Sequence, residues 1–250
     1  MEFVVREVLV PRSRNWQVTD RDLTLLRWIG RWPGVTSSQV VRQFEGNSVF
    51  PSEQVVYRRL RALVAVGLLE SGVLPGHRAR AFWVTRRGLE IANIEGNPMS
   101  PNSKEYHHDL AVIDLAHQLQ SAQPEYRLVT EREIRARDTP NQYTRPADPT
   151  YSVVAESGSG RRYPDLVTTS PDGVVWAHEL ERTRKPRPRL VRNMLAYVNA
   201  DHIHFAMYWA WPDLLSNVEQ AAAEANAKSL ELGRGEKIAF RVWNVEGLKK

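Results

Sequence analysis

Three carboxylates in one stretch of this 250-residue chain could do chemistry together: Asp165, Glu179 and Glu181, within RRYPDLVTTSPDGVVWAHELERTRKPRPR at residues 161–189. Tyr163, Asp165, Val167 and Thr169 alternate onto one face of a predicted strand. Ser170-Pro171-Asp172-Gly173 has turn chemistry, and Asp-Gly between apolar runs signals a hairpin. The returning strand, Val174 to Glu181, puts Val175, Ala177, Glu179 and Glu181 on one face and Val174, Trp176, His178 and Leu180 on the other. Acids two residues apart on a strand sit roughly 7 Å apart, close enough to share a divalent cation. Asp165, on the neighbouring strand, is placed to complete the set. Without a cation the carboxylates repel one another and raise their own pKa values. Mg²⁺ removes that repulsion and prefers oxygen ligands. The pattern points to Asp165, Glu179 and Glu181 as metal ligands and catalytic groups for phosphodiester hydrolysis. The competing account is an ordinary hairpin with surface acids.

Pro164-Asp165 followed by Glu179-Leu180-Glu181 resembles the PD-(D/E)xK nuclease signature, with Glu181 where that signature has lysine. The resemblance implies an Mg²⁺-dependent site. Lys185, from the next segment, is the candidate to supply the missing positive charge. The basic run Arg182-Thr183-Arg184-Lys185-Pro186-Arg187-Pro188-Arg189 directly follows the acids, and Arg184 and Arg187 within it are candidates to clamp phosphate. The alternative is a solvated basic loop.

The elements that must position these groups follow from capping and periodicity. Residues 1–18 read as an arm. Thr19-Asp20-Arg21-Asp22 and Thr36-Ser37-Ser38-Gln39 are capping-box patterns opening two helices. Pro51 suits the first turn of a third helix and Gly67 its end. On that helix Val56, Leu60 and Leu63 share one face, while Gln54, Tyr57, Arg58 and Arg61 share the opposite one. Leu68-Leu69-Glu70, a Gly- and Pro-containing turn and the strand Ala79–Val84 follow, with His77, Arg78 and Arg80 near the turn; Thr85 caps a last helix, Arg86 to Ile94. The segment VVYRRLRALVAVGLLE resembles the recognition helix and first wing strand of winged helix-turn-helix proteins. The resemblance implies that Gln54, Tyr57, Arg58 and Arg61 enter the major groove of double-stranded DNA, where arginine pairs with guanine and glutamine with adenine. His77, Arg78 and Arg80 would sit on the wing, against phosphate or the minor groove. A solvated face on a dimerisation or protein-binding domain is the alternative.

Residues 19–94 thus form the expected winged-helix domain, residues 95–103 a linker, and residues 104–250 a second domain. In the second domain Lys104–Gln120 is a helix with His108, Val112, Leu115 and Leu119 on one stripe. His108 therefore faces either the core or the acidic site, where it is a further catalytic candidate. Tyr126–Ile134 reads as a strand bearing Glu131 and Glu133, and residues 135–159 as a long loop with a short strand at Tyr151–Ala155. Beyond the basic run come a helix to about Asn199, the strand His202–Trp209, the helix Pro212–Leu232 and the strand Lys237–Asn244. The fold class is α+β, with a second domain in the αβββαβ order of restriction-endonuclease-like folds.

Composition agrees with a nucleic-acid partner. Net charge is +5, and Met1–Pro98 alone carries 14 arginines against 9 acids, so the whole excess lies there. All the basic residues of that segment are arginine, the better partner for phosphate and guanine. The chain has no cysteine, which excludes disulfides and cysteine-based zinc sites. No apolar stretch reaches the length of a membrane span, and the N-terminal residues do not read as a signal peptide; a cytoplasmic protein is expected.

Taken together, the recognition-helix region, His108-Asp109-Leu110-Ala111-Val112, Thr130-Glu131-Arg132, Pro164-Asp165 and Glu179-Leu180-Glu181-Arg182-Thr183 resemble the replication-relaxation family of actinobacterial plasmids, integrative elements and phages. The resemblance spans Thr19 to about Tyr208. It implies a role in plasmid or phage DNA replication and relaxation, with replication or relaxosome proteins, and a second copy of the chain, as candidate partners. Two functions follow from it: metal-dependent nicking or cleavage of DNA, and sequence-specific DNA binding on a nuclease-like fold that no longer cuts.

Overall fold

The computed structural model describes residues 17–44, 52–139, 148–155 and 160–243. The chain is α+β and divides by its contacts into two units, Met1–Ile113 and Asp114–Lys250.

The first unit begins with α1 (Asp20–Ile29), opened by the expected box in which Thr19 and Asp22 satisfy each other's backbone N–H groups. The two-residue strand β1 (Val35–Thr36) leads into α2 (Ser37–Gln43), where Thr36 and Gln39 form the second box. Ser52 caps α3 (Glu53–Ala65), and Gly67, at φ +73°, turns the chain out of it. Pro51, expected in the first turn of this helix, lies outside the described residues. The hairpin of β2 (Leu69–Val73) and β3 (Arg80–Val84) pairs antiparallel, and β1 adds to the other side of β3. Thr85 caps α4 (Arg86–Ala92), which ends earlier than the expected Ile94 because Asn93 takes a left-handed φ of +54°. Leu25, Leu26, Ile29, Val56, Leu60 and Leu63 have no exposed surface and form the heart of the unit. At Gly88 a Cβ would lie 2.2 Å from the Leu68 carbonyl oxygen, so α4 can approach β2 only with glycine there.

Residues 95–103, expected as a linker, lack helix and strand and belong to the first unit. Arg86 holds the Gly96 carbonyl and the Asn97 side chain, and Pro101 packs over Gly34. The division by contacts falls later, inside α5 (Tyr106–Ala122). The first turns of α5 belong to the first unit: Tyr106 is buried with Leu74 and Ala81, and Gln39 Nε2 donates to the Leu110 carbonyl at 3.0 Å.

The second unit is built on a five-stranded mixed sheet of β4 (Arg127–Thr130), β7 (Leu166–Thr169), β8 (Val175–Glu181), β9 (Phe205–Ala210) and β10 (Ile238–Val242). Its spatial order is β10-β9-β8-β7-β4, antiparallel across β4, β7 and β8 and parallel from β8 to β10. The parallel pairs are joined by α7 (Arg187–Val198) and by a 3₁₀ turn (Pro212–Leu214) running into α8 (Leu215–Glu231). Both helices pack on the sheet around Met194, Tyr197, Ala206, Tyr208, Ala221 and Ala225. Gly173, at φ +88°, closes the expected β7–β8 turn.

Three expectations change. The strand over Tyr126–Ile134 stops at Thr130, where a further capping box opens α6 (Glu131–Asp138): Glu133 Oε2 accepts the Thr130 N–H at 2.7 Å and Thr130 Oγ1 accepts the Glu133 N–H. Glu133 is thus a cap and Glu131 pairs with Arg135, so neither is a strand acid. The strand expected from Tyr163 is also divided. Arg161–Arg162 (β6) pairs with Val153–Val154 (β5) in a separate two-stranded ribbon, and β7 begins only after Pro164-Asp165. Finally, α7 begins within the basic run, because Pro186 precedes its first turn and Pro188 lies inside that turn, where a missing N–H costs nothing. Among the described residues no helix is long and apolar enough to cross a membrane.

Candidate functional site

In the first unit α3 turns Val56, Leu60 and Leu63 inward and leaves Gln54, Tyr57, Arg58 and Arg61 exposed, as their spacing requires. Arg59, next to the exposed Arg58, behaves differently. Its guanidinium forms an ion pair with Asp22, whose side chain is fully buried and also accepts the Thr19 N–H and Oγ1–H, each at 2.8 Å. Burial raises the Asp22 pKa, but Arg59 and the Thr19 donors outweigh it and hold the carboxyl below its ordinary range. Tyr57 stands edge-on to Phe82 of β3, with ring centroids 6.2 Å apart, which fixes its ring beside the exposed arginines. Arg78 and Arg80 are exposed near the hairpin tip, and Arg80 Nη1 reaches Ser71 Oγ at 3.3 Å. His77 is half-buried, its ring 4.6 Å from Tyr106 and 4.0 Å from His107. Desolvation, then the neighbouring His107, lowers its pKa, so His77 is a neutral packing group at neutral pH.

In the second unit the hairpin brings Asp165, Glu179 and Glu181 together. Backbone pairing of β7 with β8 starts at Leu166↔His178, and Asp165 Oδ2 extends it by accepting the Leu180 N–H at 2.7 Å. Glu179 and Glu181 are both buried. Glu179 Oε1 accepts from Arg162 Nε at 3.1 Å and from the Tyr197 hydroxyl; Glu179 Oε2 lies 2.8 Å from Arg162 Nη2. The two oxygens of Glu181 lie 2.8 and 2.7 Å from Lys185 Nζ. Burial pushes the Glu179 pKa up; Arg162 opposes this, Asp165 raises it further, Tyr197 opposes and Glu181 adds, leaving it at about 7. Burial and the Glu179 charge hold the Tyr197 and Tyr208 hydroxyls well above their usual pKa, so both stay neutral, and Tyr197 donates to Glu179. Next to the acids but on the opposite face of β8, His178 accepts from Trp209 Nε1 at 3.2 Å on Nδ1 and meets Thr168 Oγ1 at 2.8 Å on Nε2. Burial drops its pKa to about 3, so it is a neutral core histidine.

Lys185 therefore reaches the acids, as its charge suggested, whereas His108 belongs to the first unit, half-buried on the first turn of α5. Arg184 is exposed in the segment before α7 and Arg187 on its first residue, where Arg187 Nη1 donates to Gln220 Oε1 at 2.7 Å. Sequence reasoning missed Arg162 and Tyr197. The signal for Arg162 was its place three residues before Asp165; Tyr197 carried none, because its contact depends on how α7 lies across the sheet.

The three acids have the residue types of a divalent-cation site, but their partners do not fit one. Each oxygen of Glu179 and Glu181 already faces a cationic or hydroxyl donor of the chain. Among the described residues no group of three or more His, Asp or Glu is arranged to hold a metal ion. Comparisons with protein-family models, with curated proteins and with solved structures gave no match.

Proposed function

We propose that the chain is a sequence-specific binder of double-stranded DNA, with a winged helix as its first unit and α3 as the recognition helix. The observation that carries this is the α3 face: Gln54, Tyr57, Arg58 and Arg61 stand exposed over a fully buried apolar stripe, while Arg59 is turned away into an ion pair. The order of helix, short strand, two helices and hairpin, with all three strands in one sheet, supports the winged-helix assignment. In it, Arg58 and Arg61 read guanine edges, Gln54 reads adenine, and Arg78 and Arg80 on the wing meet phosphate. His77 contributes by packing.

For the second unit, the order α5, β4, β7, β8, α7, β9, with α6 and the β5–β6 ribbon inserted between β4 and β7, supports a nuclease-like fold. The engaged glutamates favour the form of that fold that no longer cuts. The proposed role is that of a regulator or accessory in plasmid or phage DNA replication, the setting implied by the resemblance to the replication-relaxation family. The hydrolytic alternative draws on one observation, the convergence of Asp165, Glu179 and Glu181 with Lys185 within reach.

The test incubates the full chain with supercoiled plasmid carrying the DNA that flanks its own coding sequence, in Mg²⁺, Mn²⁺ or EDTA, beside an Asp165→Ala/Glu179→Ala variant. Retarded but uncut plasmid in every condition is expected. Relaxed or linear product that needs metal and disappears in the variant would establish the hydrolytic alternative.

A further inference from the structure

We infer that the acidic centre of the second unit is a closed ion-pair lock whose cations are the chain's own Arg162 and Lys185, which hold the carboxylate oxygens a divalent cation would need. The inference is independent of DNA recognition by α3.

Arg162 grips Glu179 through two nitrogens, at 3.1 and 2.8 Å, a fork geometry that leaves little room for exchange. Its backbone is fixed from behind. The β5–β6 ribbon that carries it is tied down by Asp138, whose buried carboxylate accepts the N–H groups of Thr150, Tyr151 and Ser152 at 3.1, 2.8 and 2.6 Å. Lys185 is anchored in the same way: Asn217 Nδ2 of α8 donates to its carbonyl at 3.0 Å while its ammonium spans both oxygens of Glu181. Both cations are thus placed by contacts that do not involve the acids. A dication entering the centre would have to break both pairs and then lie beside two retained positive charges. The position where the nuclease signature has lysine holds Glu181, and a lysine four residues later returns the charge to it.

The test titrates Mn²⁺ into the full-length chain, followed by isothermal calorimetry and by the electron-spin-resonance signal of free Mn²⁺, for wild type, Asp165→Asn and Arg162→Met/Lys185→Met. Wild type and Asp165→Asn are expected to show the same weak, non-saturating uptake. The double variant, with the two cations removed and the three acids kept, is expected to gain a Mn²⁺-dependent rise in Tm and a saturable site at least tenfold tighter than any in wild type. One equivalent of tightly held Mn²⁺ in wild type that is lost in Asp165→Asn would overturn the inference. So would a folded double variant whose Tm ignores Mn²⁺. If the double variant does not fold, the wild-type titration decides alone.

Discussion

Adjacent residues of identical type have different roles here. Arg58 and Arg59 are neighbours on α3, yet Arg58 is exposed and Arg59 neutralises the fully buried Asp22. Removing one member of a buried pair strands the other charge, at a cost of about 3–5 kcal/mol. Arg59→Ala should therefore lower the unfolding free energy in urea by about that amount, whereas Arg58→Ala should leave it within about 0.5 kcal/mol. Equal losses would contradict the division of roles. In the second unit two buried groups oppose each other in pH. The Glu179 pKa rises from the ordinary 4.5 to about 7 on folding, so the folded state binds the extra proton, and stability falls as pH rises through that window. The His178 pKa falls from 6.5 to about 3, so the unfolded state binds the extra proton, and stability falls as pH drops below about 6.5. Where the windows overlap the slopes cancel, each being about 1.4 kcal/mol per pH unit. The expected outcome is a nearly flat wild-type stability between pH 5 and 6 (about half a unit inside each edge of the overlap) and, in Glu179→Gln, a loss on acidification over the same range. Chemical denaturation of both proteins at a series of pH values measures it, and parallel profiles would contradict the assignment.

At the scale of elements, local signals were legible and long-range ones were not. The boxes at Thr19 and Thr36, the cap at Thr85, the Asp-Gly turn before Val174 and the two faces of α3 all depend on contacts within four residues, so their spacing reveals them. The start of α6 had the same kind of signal, Thr130 followed by Glu133, but the alternating pattern of residues 126–134 masked it. The positions of Asp165, Glu179 and Glu181 on a hairpin could be read because period two is also local. What surrounds them could not: Arg162 arrives through a separate ribbon and Tyr197 through a helix laid across the sheet. The ribbon is held by the buried Val153, by His202 on the Ser152 carbonyl and by one carboxylate. Asp138 is buried and accepts three backbone N–H groups, which outweigh the burial that would raise its pKa and hold it below the ordinary range. Asp138→Ala leaves those donors unpaired and should cost about 3 kcal/mol. Faster hydrogen exchange at the amides of Thr150, Tyr151 and Ser152 is expected with it, and unchanged protection there would show that the ribbon is held by something else.

At the scale of the molecule, charge is divided as the proposed function requires. The excess of 14 arginines over 9 acids in Met1–Pro98 accounts for the entire net charge of +5, and the exposed arginines of α3 and the hairpin belong to that segment. Arginines that neutralise phosphates release counterions, so affinity for any duplex should fall with salt, by a log–log slope of about 0.9 per phosphate contact. Arginines that read bases change which sequence is preferred, at about 1–3 kcal/mol for each bidentate contact. Sequence-specific recognition by α3 is measured most directly by selecting a preferred duplex from a random double-stranded library with the full chain. The binding of that duplex and a scrambled one is then compared by fluorescence anisotropy for wild type, Arg58→Ala/Arg61→Ala and Arg78→Ala/Arg80→Ala across a salt series. Wild type is expected to prefer the selected duplex, the α3 variant to lose most of that preference, and the hairpin variant to keep the preference while its salt slope shrinks. A chain that enriches no sequence, or an α3 variant that discriminates as well as wild type does, would contradict recognition by α3.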